Sequence, residues 1–117
     1  MEVHTTEELN TKKCRPCEGG VEAYTNEQAH EQVKALEGWQ LSADGKMISR
    51  KFTFKNFKQA VKLLNQVADI AEVDQHHPDL HLTGYRHLQI DLTTHAIGGL
   101  SENDFILAAK INAAAES

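Results

Sequence analysis

The chain has 117 residues, with 12 Lys and Arg against 17 Asp and Glu for a net charge of −5, and 40% of it is hydrophobic. That length suits one domain that buries roughly two thirds of its unfolded surface, so the core needs no disulfide framework, and only Cys14 and Cys17 are present. The acidic balance argues against a phosphate backbone or an anionic membrane as the main partner, and the start MEVHTTEELNTKK lacks the apolar middle of a secretory signal, so a cytoplasmic protein is expected.

Residues 1–24 are polar, include Gly19-Gly20 and show no sustained period; they read as an N-terminal arm, with residues 25–117 as a single domain. Thr25 followed by Gln28 is a capping-box pattern, and Ala29, Val33 and Leu36 then predict a helix closed by Gly38. Trp39 and Leu41 read as a short strand entering a turn at Ala43-Asp44-Gly45. A second strand, Met47 to Phe54, carries Ile48, Phe52 and Phe54 on one side, with Arg50 as the exception. Phe57, Ala60/Val61, Leu64, Val67/Ala68 and Ala71 form the clearest helical stripe, which must end by His77 because Pro78 disfavours helical geometry before it.

Leu80 and Leu82, then Leu88, Ile90 and Leu92 after Gly84, alternate with polar residues and predict two more strands. Gly98-Gly99 is a turn, and Ser101 with Asp104 caps a last helix running to about Ala114. The order α-β-β-α-β-β-α predicts an α+β fold, a four-stranded antiparallel sheet with helices packed on one face. Trp39, Phe52, Phe54 and Phe57 are assigned to packing. The last helix is apolar around much of its surface, with Phe105, Ile106, Leu107 and Ile111, which suggests that another chain covers part of it.

Five of the seven histidines fall between His76 and His95. Glu72 and His76 are four apart, so they share a helix face, and His76 and His77 sit at the helix C-terminus, where unpaired carbonyls favour a positively charged imidazole. His95 ends the last strand on the polar side with Gln89 and Asp91. If that strand end folds beside the helix end, three imidazoles and a carboxylate converge with no Ser or Cys among them. Such a set suits proton transfer better than covalent catalysis. The plain alternative is a set of solvated or capping histidines. His81 and His87 are candidates for the rim by proximity only, and His4 and His30 read as surface. A zinc site is a competing reading, but Cys14-x2-Cys17 is half a motif with no second pair, and His76-His77 neighbours cannot easily face one ion. A redox role for the cysteines lacks the strand-helix context it needs, so both read as exposed thiols and no metal is expected.

The run Glu72-x3-His76-His77-Pro78-x6-Tyr85-x9-His95-x2-Gly98-Gly99-Leu100-x3-Asp104 resembles the signature of the pterin-4a-carbinolamine dehydratase family. Gly38-Trp39 and Phe52-x-Phe54-Lys55-x-Phe57 are similar to it as well, so the likeness covers Leu36 to Ile111. The resemblance implies a hydro-lyase that dehydrates 4a-hydroxytetrahydrobiopterin to the quinonoid dihydrobiopterin in tetrahydrobiopterin recycling. It implies His76, His77 and His95 as the catalytic set and Glu72, which would orient or charge-stabilise His76, as a residue of the substrate-binding site. Pro78, Tyr85, Thr93, Thr94 and Asp104 are candidates for substrate binding, although capping alone would explain Asp104. It further implies no metal and no bound cofactor, the pterin being substrate, and a homodimer or homotetramer. Leu80 and His81 stand where animal members carry aromatics, which bears on the substrate's side chain. Two other roles go with the same resemblance: a dimerisation module for a transcription factor, and a relative acting on another pterin, such as one in molybdenum-cofactor metabolism.

Overall fold

The computed structural model describes residues 3–12, 14 and 22–116. In chain order it contains α1 (Thr6–Thr11), α2 (Asn26–Val33), β1 (Gln40–Leu41), β2 (Ile48–Thr53), α3 (Phe57–Asp74), β3 (Asp79–Thr83), β4 (His87–Leu92) and α4 (Glu102–Ala115), with one 3₁₀ turn at His95–Ile97. Three of the helices start at capping boxes: Thr5 with Glu8, Thr25 with Gln28 and Ser101 with Asp104. Each box satisfies two otherwise orphaned amides, a contribution of about 1 kcal/mol. α2 stops short of the expected Leu36, because single turns at Ala35 and Leu36 carry the chain into Gly38, which has φ +82°. A Cβ there would also meet the Arg50 guanidinium and displace it, so glycine is favoured by the backbone angle and leaves that side chain in place.

The four strands form one antiparallel sheet in the order β1-β2-β4-β3. Register pairs Phe52 with Leu88, Arg50 with Ile90 and Ile48 with Leu92, so the even-numbered residues share the face turned to the core. The other face carries Ser49, Lys51, His81, Gln89 and Asp91. There Asp91 accepts from Ser49 Oγ (2.7 Å), Gln89 Nε2 (3.0 Å) and His81 Nε2 (2.9 Å). Partial burial works against its charge, yet these bonds hold its carboxyl below the usual carboxylate range. Arg50, the exception on the apolar face, lies 4.2 Å over the Phe52 ring, and its Nη1 donates to Glu37 O (2.9 Å) and Asn112 Oδ1 (2.6 Å). Asn112 Oδ1 also accepts from Trp39 Nε1 (2.8 Å), so one buried amide ties α4 to the first hairpin.

The strands and the long helix stand where their periodicity predicts, with two local shifts. The buried stripe of α3 is Ala60, Leu63, Val67 and Ala71, centred on Leu63 rather than Leu64, and Phe57 is 52% exposed instead of packed.

The N-terminal segment was expected to stay outside the core, and that expectation is overturned for α1. Leu9 is 0% exposed and belongs to the core, where its burial is worth about 2 kcal/mol. Thr6 Oγ1 donates to Ala35 O (2.7 Å), and Gln32, itself buried, exchanges two hydrogen bonds of 2.9 Å with the His4 backbone. One apolar residue in a six-residue helix leaves no period to detect, and the available signal was the Thr5-x2-Glu8 capping pattern. Cys14 is likewise buried, its Sγ 3.5 Å from Asn103 O, and burial, reinforced by the charge of Asp74, pushes its thiol up to about 12. It is not the exposed thiol expected, and Cys17 lies outside the described residues.

α1 and α3 both pack on α4, whose residues Asn103–Ala109, Ile111 and Asn112 are buried within this single chain. The second apolar side of α4 is therefore covered by the chain's own N-terminal helix and not, as expected, by another chain. Among the described residues no helix is long and apolar enough to cross a membrane.

Candidate active site

The site begins where α3 ends. Gln75 adopts the left-handed conformation (φ 54°, ψ 39°), and the His76 amide closes back on Ala71 O (3.2 Å), which stops the helix at Asp74, three residues before the expected limit at His77. Beyond this point residues 76–78 lead from the helix stop into β3, and the two neighbouring imidazoles face opposite ways. His76 turns inward, 6% exposed, and His77 turns outward.

This geometry reassigns the carboxylate partner predicted for His76. Glu72 Oε2 lies 2.6 Å from His77 Nε2, not on His76, because the left-handed Gln75 takes His76 out of the helical register that a four-residue spacing assumes. His76 instead meets Asp104, with Nε2 2.6 Å from Oδ1. The other oxygen of Asp104 accepts from the Ser101 amide (3.0 Å) and from Thr94 Oγ1 (2.7 Å), and Thr94 Oγ1 is 2.8 Å from Ser101 Oγ. A carboxylate accepting on both oxygens leaves Nε2 of His76 as the donor, so Nδ1 is the nitrogen free to take up a proton. Asp104 and Thr94 are 0% and 1% exposed, so both stand behind His76, and Asp104 serves as helix cap and imidazole anchor at once.

His95 opens the 3₁₀ turn rather than continuing the alternation of β4, which ends at Leu92. It is exposed, and the turn is closed by a bridge between Thr94 and Gly99 (2.9 Å from Thr94 N to Gly99 O) with Gly98 at φ +65°. His95 is the neighbour in the chain of Thr94, which bonds to the carboxylate that holds His76. Thr93 Oγ1 donates to Lys46 O (2.6 Å) and pins the same loop to the first hairpin. Pro78 is half-buried at the start of β3.

The structure thus brings His76, Asp104 and Thr94 into one hydrogen-bonded network, joins Glu72 to His77, and sets His95 beside it along the chain. Tyr85 is elsewhere: it sits in the β3–β4 turn, at the opposite end of that hairpin from His77 and His95. Of the rim candidates, His81 binds Asp91 on the open sheet face, and His87 Nδ1 is 3.0 Å from Thr53 Oγ1. His4, read as surface, lies 3.4 Å from both Glu8 and Glu102. Sequence reasoning missed the pair of half-buried Lys110 Nζ and buried Asp74 Oδ2 (2.6 Å), which locks the last turn of α3 to α4 just before His76. An acid among the last residues of an apolar stripe was the available signal. Among the described residues no three His, Cys, Asp or Glu side chains are grouped to hold a metal ion.

Residues 22–114 match the family profile described as pterin 4 alpha carbinolamine dehydratase. The chain belongs to that family. It is 51% identical over 106 residues to a Nitrosomonas eutropha protein of the same family name, covering 90% of this chain and 91% of that one. The mitochondrial pterin-4-alpha-carbinolamine dehydratase 2 of Arabidopsis thaliana is 46% identical over 90% of this chain, which spans 58% of the plant protein. Among solved structures, a Brucella melitensis protein described as a transcriptional coactivator/pterin dehydratase superposes with a TM-score of 0.75 at 35% identity, covering 80% of this chain and 99% of that one. A pterin dehydratase-like protein described as a RuBisCO assembly factor of the alpha-carboxysome shares the fold, with a TM-score of 0.58 at 24% identity over 69% of this chain and 93% of that one.

Proposed function

We propose that this protein removes water from a 4a-hydroxytetrahydropterin, 4a-hydroxytetrahydrobiopterin in tetrahydrobiopterin recycling, to give the quinonoid dihydropterin. The observation that carries this reading is the pairing of two consecutive imidazoles with two different carboxylates, His76 with buried Asp104 and His77 with exposed Glu72. Membership of the dehydratase family supports the substrate class.

The reaction breaks the C4a–O bond and the N5–H bond and forms a C4a–N5 double bond. An acid must protonate the departing hydroxyl and a base must accept the N5 proton, each worth about 10²- to 10⁴-fold in rate. Imidazole titrates near neutral pH and fills both roles, so His76, His77 and His95 form the catalytic set. His77 and His95 are exposed and exchange protons with the bound pterin. His76 offers only Nδ1, since Nε2 is committed to Asp104, and its ring is held in one orientation by that bond. Asp104 and Thr94 act through His76 as positioning residues. The change is redox-neutral, and the reading includes no metal and no bound cofactor.

The test is the dehydration rate of freshly generated 4a-hydroxytetrahydrobiopterin, followed by ultraviolet absorbance, with the protein and with a His76→Ala/His77→Ala variant. Acceleration by the wild type alone is expected, and a wild type no faster than the uncatalysed reaction refutes the reading. The description of the Brucella relative as a coactivator favours a second reading, a protein-binding role alongside or in place of catalysis. An inactive wild type would turn attention to it.

A further inference from the structure

Six of the chain's twelve Lys and Arg, and none of its seventeen Asp and Glu, lie between Gly45 and Ala68. The fold gathers most of them at one end of the molecule. β2 ends at Thr53 and α3 begins at Phe57, so Lys51, Lys55 and Lys58 surround this junction, and Lys62 follows Lys58 one turn along the same helix face. The β3–β4 turn meets the junction through the Phe54 amide, which donates to Arg86 O (2.9 Å) and brings in a further cation. All five side chains are exposed, and among the described residues no carboxylate pairs with any of them. The first turn of α3 carries no acidic residue, so its free amides add to the positive potential.

Two aromatic rings stand exposed at the same end, Phe57 and Tyr85 at 52% and 59%. Tyr85 holds a left-handed backbone (φ 57°) that glycine or asparagine would adopt with less strain, and the Arg86 guanidinium is 5.8 Å over its ring. Beside Phe54 and Lys62, a groove of about 270 Å³ runs between α3 and the end of α4, with Leu63 and Ala114 in its walls.

We propose that this basic and aromatic end docks an acidic segment of a partner polypeptide, with carboxylates on Lys55, Lys58 and Lys62 and an apolar side chain against Phe57 and Tyr85. Charge complementarity selects this occupant. The remainder of the chain holds all seventeen acids against six cations, so a long phosphate backbone leaving the patch would meet a repelling surface, whereas a short acidic segment fits within it. The patch lies at the far end of the β3–β4 hairpin from His77 and His95, roughly 15–20 Å along the strands, so a docked partner leaves the pterin site open.

The experiment titrates the full chain into a short fluorescent peptide of Glu and Asp around one Phe, read by anisotropy at low salt. A Gln/Asn version of the peptide and an oligouridine serve as comparison probes. Wild type is expected to bind the acidic peptide in preference to both. Lys55→Glu/Lys58→Glu is expected to weaken it about tenfold or more, and Lys55→Gln/Lys58→Gln less, with circular dichroism and pterin turnover unchanged. Phe57→Ser/Tyr85→Asn is expected to weaken it about fivefold, which charge alone would not produce. Equal binding of the neutral peptide, unchanged binding by the variants, or tighter binding of the oligouridine overturns the proposal.

Discussion

Asp104 binds His76 Nε2 with one carboxylate oxygen (2.6 Å) and the Ser101 amide at the start of its own helix with the other (3.0 Å). One side chain therefore couples the N-terminus of α4 to the imidazole at the end of α3. Asp104→Asn keeps the size and one acceptor but loses the charge that fixes the ring. Turnover is expected to fall about 10²-fold, with about 1 kcal/mol lost in stability. Asp104→Ala leaves Ser101 N, Thr94 Oγ1 and His76 Nε2 without their acceptor in a buried place, a cost of about 3 kcal/mol or more. Urea denaturation of the two variants beside wild type separates the two effects. Equal stability of both would show that the network is not structural.

His77→Ala and His95→Ala remove exposed rings and are expected to leave the melting temperature within a few degrees of wild type. Each is expected to slow dehydration about 10²-fold or more. Retained turnover in both would remove the proposed site. Treatment with a chelator is expected to change neither rate nor melting temperature, and a chelator-sensitive melt would revive the zinc reading.

Leu9 is the main apolar anchor by which α1 closes the outer side of α4. Leu9→Ala is expected to cost about 2–4 kcal/mol, as for other fully buried leucines. Urea denaturation measures it, and a loss under 1 kcal/mol would mean that α1 rests on α4 without stabilising it.

Gln75 pays for its left-handed backbone with the strain of a side chain that glycine lacks. Gln75→Gly is expected to stabilise the protein by about 0.5–1 kcal/mol, the loss of its 2.7 Å hydrogen bond to Glu72 O offsetting part of the gain. A lower melting temperature would show that this side-chain bond outweighs the strain.

The Cys14 thiol is pushed up to about 12 in the folded protein, above the ~8.5 of an unfolded chain. A group with a raised folded value contributes its stability fully below the unfolded value and loses it as pH climbs toward the folded one. Stability is therefore expected to fall between about pH 8.5 and 12, with Tyr24, raised by burial to about 12, contributing to the upper part. Cys14→Ala removes the thiol's share, so its melting temperature should decline less steeply over that window. Parallel curves for the two proteins would count against a buried, protonated thiol.

Local patterns decided a large part of this protein. Alternation in Leu80–Leu82 and Leu88–Leu92 and the caps at Thr25 and Ser101 are short-range preferences that act within a few residues, and each appears in the structure where the sequence places it. The histidine candidates stood out for the same reason, since they lie in one stretch of twenty residues. Long-range geometry decided the rest. A single left-handed residue, Gln75, rotated His76 away from Glu72 and onto Asp104, twenty-eight positions later, and no spacing rule on a continuous helix anticipates that exchange. The apolar wrap of α4 showed that something must cover it. That the cover is Leu9 of the same chain, and that Phe57 is left in solvent, depended on which surfaces met in three dimensions, because burial belongs to the packed molecule and not to the order of its residues.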